Sequence, residues 1–199
     1  KSLKTILYII LLFSSITASA WDGMAMPQLH VEGRYFKDAN GNIVNLHGFA
    51  QTYSPWFNEC CTIWNDYDVN ACLTYNQGLI DNILNAGWKV NFLRLHMDPY
   101  WSNTPGIHTK GENDISAFDY DRFTKYFQSV FVPMAKYAIS HGLYVVMRPP
   151  GVCPDSIAVG DAYQKYLIKV WNYVSADSYI KNNPNIMFEL ANEPVRIWS

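Results

Sequence analysis

Residues 186–194 read Ile-Met-Phe-Glu-Leu-Ala-Asn-Glu-Pro, an apolar, strand-forming run that ends in an amide, a carboxylate and a proline. Pro194 has no backbone N–H, so a central strand stops there and leaves Asn192 and Glu193 at its carboxyl end. Side chains alternate along a strand, which predicts Glu189, Ala191 and Glu193 on one face and Asn192 on the other, or twisted out at the rim. A carboxyl group beside apolar residues can keep a proton and hand it to a leaving group, so the chemistry on offer is general acid catalysis. The plainer reading is a loop that begins after a buried strand. A second charge, Arg94, sits inside the apolar run Val-Asn-Phe-Leu-Arg-Leu-His-Met at residues 90–97. A cation there is costly unless paired, and Glu189 is a candidate partner. His96 follows on the same face, nearer the rim, placed either to touch a ligand or to be satisfied by its neighbours.

The heptapeptide Phe-Glu-Leu-Ala-Asn-Glu-Pro resembles the signature of glycoside hydrolase family 5, the large cellulase and mannanase family. The resemblance implies a (β/α)₈ barrel whose fourth strand ends in the Asn-Glu pair. It implies that Glu193 is the acid/base, that Asn192 hydrogen-bonds the sugar 2-hydroxyl, and that Arg94 positions the nucleophile. By the same resemblance the nucleophilic glutamate ends the seventh strand, beyond Ser199. A retaining glycosidase needs its two carboxyl groups about 5–5.5 Å apart. Glu189 is four residues before Glu193, roughly 13 Å along an extended strand, and is too far to serve. Many family members carry a histidine at the end of the third strand. This chain has Arg148-Pro149-Pro150 instead, so either Arg148 or His47, at the end of the expected first strand, is a candidate for part of that role.

The elements that must position these residues are set by periodicity. Asp38-Ala39-Asn40-Gly41-Asn42 is turn chemistry between Tyr35-Phe36 and Ile43-Val44, which predicts a hairpin feeding a first strand at about 44–49. In the resembled family such a hairpin caps the bottom of the barrel. Residues 51–72 read as a long polar-aromatic loop on the active face. In it Trp56 is either a sugar-stacking platform or packing for the loop, and Trp101, after the second strand at 90–97, is a second stacking candidate. Leu79, Ile80, Ile83 and Leu84 have helical spacing closed by Gly87. Asp119 can cap a helix whose stripe is Tyr120, Phe123, Phe127, Val130, Phe131, Met134 and Ala138, with a kink expected at Pro133. A third strand at 143–147 precedes a helix that starts at Gly160-Asp161 and buries Tyr163, Tyr166, Leu167, Val170 and Val174. Strand and helix alternate, which predicts an α/β parallel sheet: the first four β/α units of a barrel. A whole barrel takes about 250 residues, so the 199-residue piece is expected to carry the N-terminal half and to be inactive alone.

Composition narrows the function classes. With 49% hydrophobic and 16% charged residues the chain is globular, and a net charge of −2 gives no electrostatic case for nucleic acid or anionic membranes. Lys1 and Lys4, the apolar run at 6–13 and Ala18-Ser19-Ala20 read as a secretory signal peptide over residues 1–20, with the catalytic domain over 21–199. Secretion without stable membrane association is therefore expected, and with it the possibility of disulfides. Cys60 and Cys61 are adjacent, so Cys72 or Cys153 is the better partner for either; free, partly buried thiols are an equally good reading. The five histidines have no metal-ligand spacing, and no metal or organic cofactor is implied. A monomer acting on a β-linked polysaccharide is expected. The leading activity is a retaining endo-β-1,4-glucanase. A β-mannanase or mixed-linkage glucanase is the nearest rival, and a non-catalytic carbohydrate-binding barrel is the different-class alternative, supported by Trp56, Trp101 and the absent histidine.

Overall fold

The structure, a computed structural model, describes residues 24–51, 68–97, 99–195 and 197–198. The expected leader, Trp56, Cys60 and Cys61 lie outside the described residues.

The chain opens with β1 (His30–Glu32) and β2 (Tyr35–Lys37), an antiparallel pair that turns at Gly33, whose φ is +61°. The turn chemistry at 38–42 is used as expected. The Asp38 carboxylate accepts from the backbone N–H of Asn40 and Asn42, both at 2.9 Å, and Gly41 takes φ +81°. The ladder around this turn is shorter than expected. Across it Lys37 and Ile43 form an isolated bridge, with Val44 N–H donating to Phe36 O and Asp38 N–H to Asn42 O, while the longer ladder lies across Gly33. The Tyr144 hydroxyl donates to the Pro27 carbonyl, which ties the opening segment to the amino-terminal end of the central sheet.

That sheet contains β3 (Gly48–Gln51), β4 (Phe92–His96), β5 (Tyr144–Arg148) and β7 (Ile186–Phe188), all parallel and in sequence order. A short parallel pair, β6 (Ile157–Ala158) with β8 (Ile197–Trp198), stands apart from it. The first central strand therefore starts at Gly48, later than the expected 44–49. At this first paired position a Cβ would sit 1.8 Å from the Phe92 carbonyl oxygen, so residue 48 can take its place beside Phe92 only as glycine.

Aspartates start four of the described helices. Asp68 caps α1 (Val69–Asn85), whose end has Trp88 N–H bonded to Ile83 O and Gly87 N–H bonded to Leu84 O, with Gly87 left-handed at φ +82°. The helix thus begins inside the stretch expected to be loop. After the single turn α2 (Pro99–Ser102), Asp119 caps α3 (Tyr120–Tyr126) through the N–H groups of Asp121 and Arg122. At Pro133 the chain does not simply kink. Phe127–Phe131 form a π turn, with Val132 N–H reaching back five residues to Phe127 O, before α4 (Val132–Ser140) resumes. Asp161 caps α5 (Ala162–Val174) and Asp177 caps α6 (Ser178–Lys181).

The core lies between these helices and one face of the sheet. Leu93, Leu95, Val145 and Met147 are buried there against Ile80, Phe127, Phe131, Ala138, Tyr166 and Val170. The expected stripes on α3–α4 and α5 are the buried ones, with Tyr120 packed at the margin. Alternation then sends Ala50, Arg94, His96, Val146, Arg148 and Met187 to the other face, which carries the chain's polar chemistry. Among the described residues the sheet is open, with β3 and β7 as its edges.

Candidate active site

Arg94 projects from the middle of β4 and organises its neighbours. Its Nε donates to Glu189 Oε2 at 2.7 Å and its Nη2 donates to Glu189 Oε1 at 2.6 Å, a two-pronged ion pair. The same Nη2 donates to Asn192 Oδ1 at 2.7 Å, and Nη1 lies 3.3 Å from His96 Nε2. The Glu189 hydrogen bond raises the Arg94 pKa against the opposing effect of burial, and the charges of Glu189 and Glu193 add to the rise. Arg94 is therefore a fixed cation, and its ion pair with Glu189 is the arrangement expected from the cost of burying a charge in this strand.

His96 sits beside two guanidinium groups. Burial first, then the charges of Arg148 and Arg94, push its pKa down to about 3. A neutral imidazole with its lone pair on Nε2 is the form that accepts from Arg94 Nη1. At the end of β5, cross-strand from His96, Arg148 is 3% exposed and its Nη2 donates to Glu112 Oε2 at 3.2 Å.

The segment after β7 departs from the expected strand. The strand ends at Phe188, and residues 190–193 bend. Asn192 turns inward as a result and is 1% exposed. Its Oδ1 accepts from Arg94, its Nδ2 donates to Gly151 O at 3.1 Å, and its carbonyl accepts from Cys153 N–H at 2.9 Å. One Nδ2 hydrogen is left without a partner among the described residues. Glu193 turns the other way and is exposed; with φ +53° it is the one non-glycine among the described residues in the left-handed region. The alternation expected for Glu189, Asn192 and Glu193 is thereby altered, because it assumed an extended chain past Phe188. The four-residue separation no longer measures the distance between the two carboxylates. Glu189 is instead set apart from Glu193 by its commitment of both oxygens to Arg94.

Two further expectations are corrected. Trp101 is fully buried, edge-on to Tyr126 at 4.6 Å and tilted against Phe131 at 6.1 Å between ring centroids. Its faces are spent on the core and offer no platform to a sugar. His47 precedes β3 and lies at the opposite end of the sheet from Glu193. Its backbone exchanges hydrogen bonds with Asn91, just before β4, and its ring Nε2 pairs with the Lys89 carbonyl. It reaches neither Arg94 nor the carboxyl ends of the strands.

The sequence did not point to Glu112 or to the turn at 149–153. The signal for Glu112 was indirect: a buried Arg148 requires an acid from some loop. The turn is fastened on several sides. Tyr163 Oη donates to Val152 O and Tyr166 Oη to Pro150 O, each at 2.9 Å, while Val152 N–H donates to Glu112 O at 3.1 Å. Cys153 is a free, buried thiol whose pKa burial pushes up, and Cys72 is buried on α1. Among the described residues no three metal-ligating side chains gather, and no helix is long and apolar enough to cross a membrane.

Parallel strands thus deliver a fixed arginine, a paired carboxylate, an inward amide and an exposed carboxylate to the carboxyl-terminal end of one sheet. In (β/α)₈ enzymes that end carries the catalytic groups. The sequence model of the cellulase family, glycosyl hydrolase family 5, matches residues 37–198, which hold every one of these groups. No curated protein matches the chain. The match covers most of the sequence, and the chain belongs to glycosyl hydrolase family 5.

Proposed function

We propose that the full-length protein is a secreted, retaining endo-β-1,4-glucanase with Glu193 as its acid/base. The observation that carries this reading is the contrast between adjacent residues: Asn192 is locked inward on Arg94, while Glu193 is turned out, exposed, at the carboxyl end of the sheet. A proton donor must reach substrate, and its neighbours must hold it still. The remaining strands of the barrel, including the one that bears the nucleophile, would continue from the edges of the sheet. Apolar side chains left uncovered near both edges support that continuation: Trp88 at 67% exposure near β3, and Phe188 and Leu190 at 40% and 69% by β7.

In this mechanism Glu193 gives its proton to the glycosidic oxygen as the bond from the anomeric carbon to that oxygen breaks. The nucleophilic carboxylate bonds to the same carbon from the opposite face, forming a glycosyl ester. The Glu193 carboxylate then takes a proton from water, whose oxygen attacks the anomeric carbon and releases the nucleophile. Arg94 has spent four of its five N–H groups on Glu189, Asn192 and His96. The fifth, on Nη1, is the donor available to orient the nucleophile. Asn192, which the family resemblance assigns to the sugar 2-hydroxyl, is 1% exposed, so its second Nδ2 hydrogen would have to be uncovered to reach one. Trp56, outside the described residues, remains the stacking candidate once Trp101 is spent on the core. Loss of Trp101 as a platform also weakens the case for a purely carbohydrate-binding barrel.

The test is a panel of soluble polysaccharides incubated with the full-length protein. Carboxymethylcellulose should lose viscosity well before reducing ends accumulate, faster than galactomannan or mixed-linkage glucan does. Reducing ends appearing first from mannan would move the substrate assignment, and none from any polymer would overturn the hydrolase reading.

A further inference from the structure

The turn at 149–153 touches Asn192 at two points, and Asn192 is the residue on which Glu193 hinges. Gly151 O takes the Asn192 Nδ2 hydrogen bond and Cys153 N–H gives one to the Asn192 carbonyl. Glu193 comes next, in the left-handed region, and precedes Pro194, a neighbour that restricts its backbone further. Such a conformation persists only where the surroundings over-determine it. The surroundings here are Arg94 on one side of Asn192 and the 149–153 turn on the other.

Gly151 is the point at which the turn itself is fixed. Its φ is +83°, and a Cβ there would lie 2.3 Å from the Glu112 carbonyl oxygen. That same oxygen accepts from Val152 N–H, so the turn and the Glu112 backbone are in direct contact. A side chain at 151 cannot be absorbed by a flexible tip, because the obstacle is backbone. The strain would pass instead to the two Asn192 hydrogen bonds.

We propose that Gly151 is a positioning residue for the acid/base: through the 149–153 turn and Asn192 it sets where the Glu193 carboxyl stands against the glycosidic oxygen. The proposal rests on Glu193 being the proton donor. Tyr163 serves the same end more weakly by holding Val152 O.

Leaving-group dependence separates this role from a merely structural one. Cleavage of a cello-oligosaccharide needs a proton on the departing oxygen, whereas departure of 2,4-dinitrophenolate does not. The full-length enzyme is compared with Gly151→Ala, with Tyr163→Phe as the gentler change in case the first variant does not fold, and with Glu193→Gln as the control. Rates of glycosyl-enzyme formation are measured on dinitrophenyl cellobioside and on cello-oligosaccharides. Gly151→Ala should lose about tenfold or more on oligosaccharides and less than about threefold on the aryl glycoside, with KM little changed. Tyr163→Phe should show the same selectivity with a smaller loss. Equal losses on both substrates in the variants that fold, or no loss on either, would overturn the proposal provided the Glu193→Gln control shows the selective loss. A control without that selectivity would instead remove Glu193 as the proton donor, and the proposal with it.

Discussion

Arg94 illustrates how much geometry one guanidinium can impose. Its planar fork meets Glu189 at two points, and the same group holds Asn192 and His96. A lysine offers a point charge without that fork. Arg94→Lys should therefore lower kcat on carboxymethylcellulose by about tenfold or more, because Asn192 and the nucleophile lose a fixed donor even though the charge is kept. Steady-state kinetics check this. His96 carries a second expectation. Folded, its pKa lies near 3, against an ordinary value of 6.5. Between those values the unfolded chain takes up a proton that the fold refuses, so this residue's contribution to stability is present above about 6.5 and is lost as pH falls toward 3. His96→Gln keeps an acceptor for Arg94 but does not titrate. Its melting temperature should fall less steeply than the parent's between pH 6.5 and 4, as thermal denaturation across that range would show. At this scale the Arg94–Glu189 pair was legible in the sequence because a cation in an apolar strand demands an anion. Glu112 was not, because it comes from a loop 36 residues away from Arg148 with no periodicity to place it.

Among the elements, those with a strong period and an aspartate at their start were the most readable. The helices capped by Asp119 and Asp161 bury the faces their spacing implies. The strands were readable in kind and order but not in their ends. Where β3 begins depends on its approach to Phe92, and where β7 ends depends on how Asn192 is held by Arg94 and the 149–153 turn; both are contacts between segments distant in sequence. His47 and Asn192 were misplaced for this reason. The response to Pro133 was likewise not legible, since a kink and a π turn both accommodate the missing N–H. The Asp119 carboxylate accepts from the N–H groups of Asp121 and Arg122 at the start of α3. Asp119→Ala should cost about 1 kcal/mol of stability, readable as a lower urea midpoint with an unchanged slope.

At the scale of the molecule, the sheet is open among the described residues, with β3 and β7 at its edges and Trp88, Phe188 and Leu190 uncovered nearby. Unpaired strands flanked by apolar surface invite association. If the proposed barrel continues from these edges, residues 24–199 produced alone should form concentration-dependent oligomers in light scattering, and a chain carrying the further strands should not. A monodisperse monomer from the segment would argue against further strands at those edges. The polar face of the same sheet gathers its charged and amide side chains at the carboxyl ends of the strands, and the proposed function turns on one exposed carboxyl group there, Glu193. The most direct measurement is the turnover of full-length Glu193→Gln on carboxymethylcellulose, with the fold checked by circular dichroism. A fall of about 10²–10⁴-fold in a folded variant is expected if Glu193 donates the proton. Turnover equal to the parent's would contradict it.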